Sequence, residues 1–444
     1  MNILQKIFKE HYEEMVYILH PRASVIENVE KMINCGDPSF GGAMYGCPTC
    51  GNMKFVQFRC HSRFCPTCGN KYSMERTTRM SFKLINVTHR HCVFTIDENL
   101  RPYFLKDRSL LNCLFHAVTS VVTRLFHNMN KSKNFTPGFI MVLHTFGRDL
   151  KWNPHIHMLI SGGGLTQDKT SFIRLREGQF FLPAKLLASR YRSIYMSSLK
   201  QLRDDNTLSY SGHAQKYRNS YEWKELVDKC YGTDWNVEIK PYPPSQGSCT
   251  RGDDPKKPSN AAGAFADYAM KKMAAPARIP GSTDTSEALA VQDPPGIDAV
   301  HQYMAQYTNR TAVTDDRILS CSSTSVVIEC KVHHRGGYTT KEPLNLSPDE
   351  FIRRLLLNIL PKGFARTRFA GFLAGCVKAR NLALIRELLD QEQPLNPTKE
   401  MKAAELVLFF YGNDFSLCPA CHVPMKVLGH RLGDGRATSK IRAS

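Results

Sequence analysis

The chain has 444 residues, 42% of them hydrophobic, a formal charge of +19 and an isoelectric point near 9.3. No run of 18 or more apolar residues occurs and the N-terminus lacks the apolar core of a signal peptide, which argues against spanning and exported classes and for the cytoplasm. The positive excess suits a polyanion, with nucleic acid first and nucleoid association when bound; no clean basic amphipathic helix speaks for a membrane surface.

At this length two to four domains fit, with a sizeable core. Residues 1–30 carry Ile3, Ile7, Phe8, Tyr12, Met15 and Val16 at the spacing of one apolar helical face. Fifteen cysteines follow along the chain, and in a reducing compartment they argue for metal ligation over disulfides. Cys47-Pro-Thr-Cys50-Gly51 and Cys65-Pro-Thr-Cys68-Gly69 are two knuckles, each closed by a glycine that permits a tight turn. Together they predict one tetrahedral four-thiolate Zn²⁺ site made of Cys47, Cys50, Cys65 and Cys68. Cys60 and His61 are surplus to four-coordination, and either could replace a knuckle cysteine; Cys35 is an outlier. Arg59, Arg63, Lys71, Arg76 and Arg79 among Phe55, Phe58, Phe64 and Tyr72 form a basic surface studded with aromatics, suited to nucleic acid.

Further on, His91–Ile96 alternates like a strand, and Ser109–Met129 has helical apolar spacing. Phe139–Phe146 predicts a second strand, close enough to hairpin onto Trp152–Ile160. In that last strand His155 and His157 share one face with Ile156 opposite, as a pair able to clamp a metal ion, and Ser161-Gly-Gly-Gly164 is expected to end it. His144 joins as a candidate third ligand if the register permits. Residues 180–203 read as a helix and Trp235–Pro241 as a strand. Between Tyr242 and Gly296 the texture turns to Pro, Ser, Gly and Ala, expected as a flexible insertion. Helical spacing returns over Asp298–Asn309, then strands at Arg317–Leu319 and Val326–Val332. Ser347-Pro-Asp-Glu350 is a capping-box start for a helix carrying Phe351, Leu355, Leu356 and Ile359. Two more helices, roughly 374–390 and 400–411, precede Cys418-Pro-Ala-Cys421, half of a zinc site with its other half unassigned.

Tyr303 and Tyr307 stand at i and i+4 on the returning helix, hence on one face. Beside a metal site in a basic protein, such a pair suggests tyrosine attack on a phosphodiester polarised by a divalent ion, leaving a phosphotyrosine and a free 3′-hydroxyl.

In combination these marks resemble the rolling-circle transposases of the insertion-sequence-91 family, within the His-hydrophobic-His nucleases that use two tyrosines. The residues that carry the resemblance are the cysteine knuckles with Cys60-His-Ser-Arg63-Phe-Cys65, Val93-Phe-Thr95 with Leu100-Arg101, Val142–Gly147, Pro154–His157 with Gly162-Gly-Gly-Leu165, Tyr303-Met-Ala-Gln-Tyr307-Thr-Asn-Arg310, Leu360-Pro-Lys-Gly-Phe364 through Gly371-Phe-Leu373, and Cys418-Pro-Ala-Cys421. The resemblance runs from about residue 30 to 425. It implies an α+β fold: an antiparallel-sheet nuclease core with helices, an N-terminal Cys-rich zinc-binding module and a helical C-terminal region. The expected parts are an N-terminal helix (1–30), a zinc-binding DNA-recognition module (31–85), the nuclease core (86–242), the flexible insertion (243–297), the tyrosine helix with remaining core strands (298–345), a helical C-terminal region (346–425) and a basic tail (426–444). It further implies that His155 and His157 bind Mg²⁺ or Mn²⁺, that Tyr303 and Tyr307 are the nucleophiles, and that the partner is DNA, mainly as single-stranded element ends and target. Arg59, Arg63, Lys71, Arg310, Lys362, Arg366 and Arg368 are the expected DNA contacts. The insertion of some 55 residues departs from the family pattern, although closure entropy grows only slowly with loop length. A rolling-circle replication initiator with the same chemistry, or a zinc-dependent DNA-binding regulator without chemistry, are the competing readings.

Overall fold

The computed structural model describes residues 2–81, 84–129, 134–175, 183–210, 212–242, 313–334, 338–392, 398, 400–401, 403–411 and 416–432. Helix α1 (Ile3–Leu19) starts at a capping box: the Asn2 side chain accepts from the Gln5 amide at 2.8 Å while Gln5 Oε1 accepts from the Asn2 amide at 2.9 Å. Its buried residues Leu4, Ile7, Phe8, Tyr12 and Met15 are the face that the periodicity predicts. With α2 (Ala23–Ile33) it packs on a small antiparallel sheet of β8 (Ile318–Cys321), β9 (Val326–His333) and β10 (Thr339–Leu346), and on α8 (Pro348–Leu357). Helix α8 begins where expected, with the Ser347 hydroxyl accepting from the Glu350 amide at 3.3 Å.

The central sheet has the order β11-β4-β5-β3-β7, all antiparallel, with β6 (Phe172–Arg174) paired to β5. Its strands are β3 (His89–Phe94), β4 (Phe135–Phe146), β5 (Trp152–Thr166), β7 (Val237–Tyr242) and β11 (Thr367–Gly371). One face carries Phe94, Leu143, Ile156, Met158 and Ile160, all fully buried beneath α5 (Leu111–Met129), α6 (Ala184–Asp204) and α7 (Ser220–Gly232). The short helix α4 (Tyr103–Lys106) precedes α5, which is long and apolar enough to cross a membrane but is the helix laid over this sheet, with Leu111, Leu114, Val118 and Val121 fully buried. The opposite face carries Ile140, Val142 and Leu159, covered by Phe372, Leu373 and helix α9 (Lys378–Leu388), with Met80 of α3 (Pro66–Ser81) beside them. A third sheet, β12-β1-β2, joins β1 (Gly41–Gly46) and β2 (Met53–Gln57) to β12 (Lys426–Leu432) from the other end of the chain. The last helix, α10, spans Ala403–Tyr411.

Two expectations need correction. Ser161–Gly164 does not end the histidine strand: β5 runs on to Thr166, where Gly164 lies against the Thr136 carbonyl and Gly163 against the Ile173 carbonyl, so closely that a Cβ would stand 2.3 Å from each oxygen. Here glycine serves close strand packing, not termination. The region 346–425 is not helical throughout, because β11 joins the central sheet, and the stretch expected as a basic tail opens with β12, which joins β1. Five-residue Thr-Arg-Phe-Ala-Gly has too little periodicity to declare itself; pairing with β4 makes it a strand.

Candidate metal centre and its arginine rim

The β4–β5 hairpin decides the histidine geometry. In its register His144 lies opposite His155 and Val142 opposite His157, while β3 places Val93 opposite His157. Alternation therefore puts His91, His144, His155 and His157 on one face, and Ile156 in the core behind them. The ligand atoms of His144, His155 and His157 all lie within 4.8 Å of one another. His155 Nδ1 is 2.7 Å from the Asn153 carbonyl, to which it can only donate, so Nε2 carries the lone pair. That Nε2 sits 3.1 Å from Nε2 of His157, whose Nδ1 is 2.9 Å from His91 Nε2. If His157 donates from Nε2 to His155, the contact is an ordinary hydrogen bond; if it donates from Nδ1 to His91, two imidazole lone pairs converge and leave room for a cation between them. Two nitrogens bound to one ion at roughly 2.1 Å lie about 3.0–3.4 Å apart, depending on octahedral or tetrahedral angles, so the donor set fits a metal.

Packing away from water pushes the His155 imidazole down to about 4, with Arg101 and Arg366 nearby acting in the same direction. His157 is held well below the ordinary histidine value, by burial first and then by His144, His155 and His91. Both are therefore neutral ligands near pH 7. Arg366, on the segment leading into β11, donates from Nε to the Leu143 carbonyl at 2.8 Å. Desolvation brings its guanidinium down to about 10, and the neighbouring Arg63 and Arg76 act in the same direction. On α3, Arg76 donates to the Tyr72 hydroxyl at 2.9 Å, and Arg63 lies 5.4 Å over the same ring. Arg63, just before α3, and Arg76, on α3, thus lie near Arg366 on the histidine side of the sheet.

The other expected DNA contacts scatter. Arg59 is exposed over Gly36, Lys71 pairs with Glu75 at 3.7 Å, and Lys362 is exposed. Arg368 stacks on Phe115 at 4.1 Å and donates to Asn112, so it braces β11 against α5. Tyr303, Tyr307 and Arg310 lie outside the described residues. Tyr191 and Tyr195 of α6 share the i, i+4 spacing yet are fully buried in the core, with burial raising both phenols. Spacing of tyrosines by itself is thus no mark of chemistry.

The cysteines assemble differently from the single site expected. Cys47, Cys50, Cys65 and Cys68 do not come together; Cys65 and Cys68 join Cys35 and Cys60, whereas Cys47 and Cys50 join Cys418 and Cys421. The reason is β2: its five residues extend about 17 Å, holding one knuckle at the β1–β2 turn and the other at the start of α3. In the first cluster Cys35 Sγ is 3.6 Å and Cys60 Sγ 3.7 Å from Cys68 Sγ. Mutual hydrogen bonding within the cluster holds the Cys35 thiol below its ordinary value and pushes those of Cys60 and Cys68 above it. Sequence reasoning set Cys35 aside because it belongs to no Cys-x-x-Cys pair, and it gave no sign of His91.

A model of the transposase zinc-binding domain matches residues 7–96. A second, described as "Putative transposase", matches residues 138–250 and 293–381, so the two take in the first cysteine cluster and the β4–β5 hairpin. This chain belongs to the insertion-sequence-91 family of transposases. Among its relatives, "Putative transposase y4qJ" of Sinorhizobium fredii (strain NBRC 101917 / NGR234) is 25% identical over 392 residues, 87% of this chain and 84% of the relative. The transposase for insertion sequence element IS801 of Pseudomonas savastanoi pv. phaseolicola is 24% identical over 408 residues, 90% of this chain and 82% of the relative. No solved structure matches significantly. As a transposase the protein acts on DNA, and its zinc-binding domain and cysteine clusters support structural zinc.

Proposed function

We propose that this transposase cleaves one DNA strand at an element end and joins it to a target by rolling-circle-type transfer through a 5′-phosphotyrosine. The carrying observation is the convergence of His144, His155 and His157 on one sheet face, with Arg101 and Arg366 beside them. In this reading the three imidazoles hold a divalent ion, which when bound polarises the scissile phosphate. His91 fixes the His157 ring as its outer hydrogen-bond partner, and Arg101 and Arg366 neutralise phosphate charge. Mg²⁺ or Mn²⁺ is the expected ion; an all-imidazole set is softer than the oxygen donors Mg²⁺ favours, so Mn²⁺ should act at lower concentration.

By the family resemblance, Tyr303 or Tyr307 supplies the nucleophile. Its phenolate oxygen forms the new bond to phosphorus, the bond from phosphorus to the 3′ oxygen breaks, and the leaving strand takes up a proton as a free 3′-hydroxyl. Attack by a 3′-hydroxyl on the phosphotyrosine reverses the exchange, so joining needs no ATP. The first cysteine cluster and α3 serve DNA recognition, with single-stranded ends as the substrate.

The test is Tyr303→Phe with Tyr307→Phe, which removes both attacking oxygens but keeps the rings. The double variant should bind single-stranded DNA like the parent and form no covalent adduct on a denaturing gel; an adduct in the double variant would refute the assignment of these nucleophiles.

A further inference from the structure

The cysteines at the end of the described chain lie beyond the matched family stretches, the last of which stops at residue 381, whereas Cys47 and Cys50 lie within the zinc-binding-domain match. Cys418-Pro419-Ala420-Cys421-His422 nevertheless repeats, bond for bond, the turn of Cys47-Pro48-Thr49-Cys50-Gly51. In the first turn the Gly51 amide donates to the Cys47 carbonyl at 3.1 Å and the Cys47 amide to the Asn52 carbonyl at 2.8 Å. In the second the His422 amide donates to the Cys418 carbonyl at 2.9 Å and the Cys418 amide to the Val423 carbonyl at 2.9 Å. In both turns the first thiol is held below its ordinary value by nearby backbone amides, those of Cys50 and Thr49 at Cys47 and those of Cys421 and Ala420 at Cys418. The residue after each second cysteine is left-handed: Gly51 at φ 71° and His422 at φ 57°. Glycine adopts that conformation freely, whereas a histidine there carries a steric cost.

The two turns face each other. Cys47 Sγ is 3.4 Å from Cys421 Sγ, Cys50 Sγ is 3.5 Å from Cys418 Sγ, and Cys421 Sγ is 3.5 Å from Cys50 Sγ. A disulfide would need about 2.05 Å, whereas four sulfurs around one zinc lie about 3.8 Å apart at 2.3 Å from the ion. The surroundings give little else to hold the turns together. Among the described residues the hydrophobic cluster there has Cys47, Cys418 and Met425 as its buried members, with Tyr45, Cys421 and Val423 packed on them, while Met53, Val427 and Leu428 on the same sheet are 65%, 50% and 62% exposed. So small a module folds when a metal replaces the missing core.

We propose that Cys47, Cys50, Cys418 and Cys421 form a second structural zinc site, separate from the Cys35 cluster, that clasps the C-terminal end of the described chain to the N-terminal module. The clasp seats β12 on β1, so the sheet that follows the first helices is completed only once Lys426–Leu432, at the far end of the described chain, have arrived.

The test uses the full chain and needs no DNA, so it stands or falls apart from the nuclease reading. After Co²⁺ substitution, thiolate-to-cobalt absorption, to which histidine ligands do not contribute, should correspond to two four-thiolate sites per chain. Cys418→Ser with Cys421→Ser should halve it. In the unaltered zinc protein, Cys418 and Cys421 should resist alkylation together with Cys47 and Cys50, and all four should become reactive on metal removal, as mapped by mass spectrometry. One thiolate site in the parent would overturn the proposal. So would equal alkylation of Cys418 and Cys421 with and without chelator, a result that does not depend on the variant folding.

Discussion

The histidines and the cysteines of this transposase are brought together over very different lengths of chain. His144, His155 and His157 belong to one hairpin, where antiparallel pairing sets His144 opposite His155. Cys47 and Cys421 are 374 residues apart, and Cys35 and Cys68 are 33 apart across a helix, a hairpin and a turn. A hairpin converts sequence spacing directly into facing side chains. A cluster gathered from separate elements is fixed by how those elements dock, so the nearest Cys-x-x-Cys pairs in sequence need not share an ion. The energetic roles should differ accordingly: the histidine face rests on a sheet already held by a large core, whereas the cysteine clusters supply stability where core is scarce.

The largest expected effect tests the histidine side. His157→Ala should reduce nicking of single-stranded DNA by about 100-fold or more, since even an outer partner of a metal ligand is worth 10–100-fold, while DNA affinity and thermal stability stay near the parent. A parallel loss of folding would mean that the histidines, like the cysteines, are structural.

Cys35→Ser tests the cysteine side. It should remove one zinc equivalent and lower the melting temperature, because zinc binding is folding energy for such modules. Cys376→Ser, at an exposed cysteine outside both clusters, should do neither. Unchanged zinc in Cys35→Ser would exclude Cys35 as a ligand of the first cluster.

The smallest effect sharpens the difference between ligand and support. His91→Ala should raise the Mn²⁺ concentration for half-maximal nicking by roughly 10-fold, with the rate at saturating Mn²⁺ close to the parent. A lowered saturating rate with unchanged Mn²⁺ dependence would assign His91 a different task.

The amino-acid sequence by itself determined what local periodicity and short-range chemistry can express. The apolar faces of α1 and α5 follow from 3.6-residue spacing, the start of α8 from Ser347 and Glu350, and the shared face of His155 and His157 from two-residue alternation. The knuckles declared their ligand type, because two cysteines and a tight turn are a local pattern. Tertiary structure alone decided the rest. The β4–β5 register brought in His144, since a slip of one residue would have turned it to the other face. Pairing with β4 and β1 made strands of Thr367–Gly371 and Lys426–Leu432, whose own residues carry little strand signal. The length of β2 separated the knuckles and gave each its distant partners, Cys35 and Cys60 to one, Cys418 and Cys421 to the other. Ligand identity is written in the side chain, but ligand grouping depends on distances in space, and those exist only after the helices and sheets have packed.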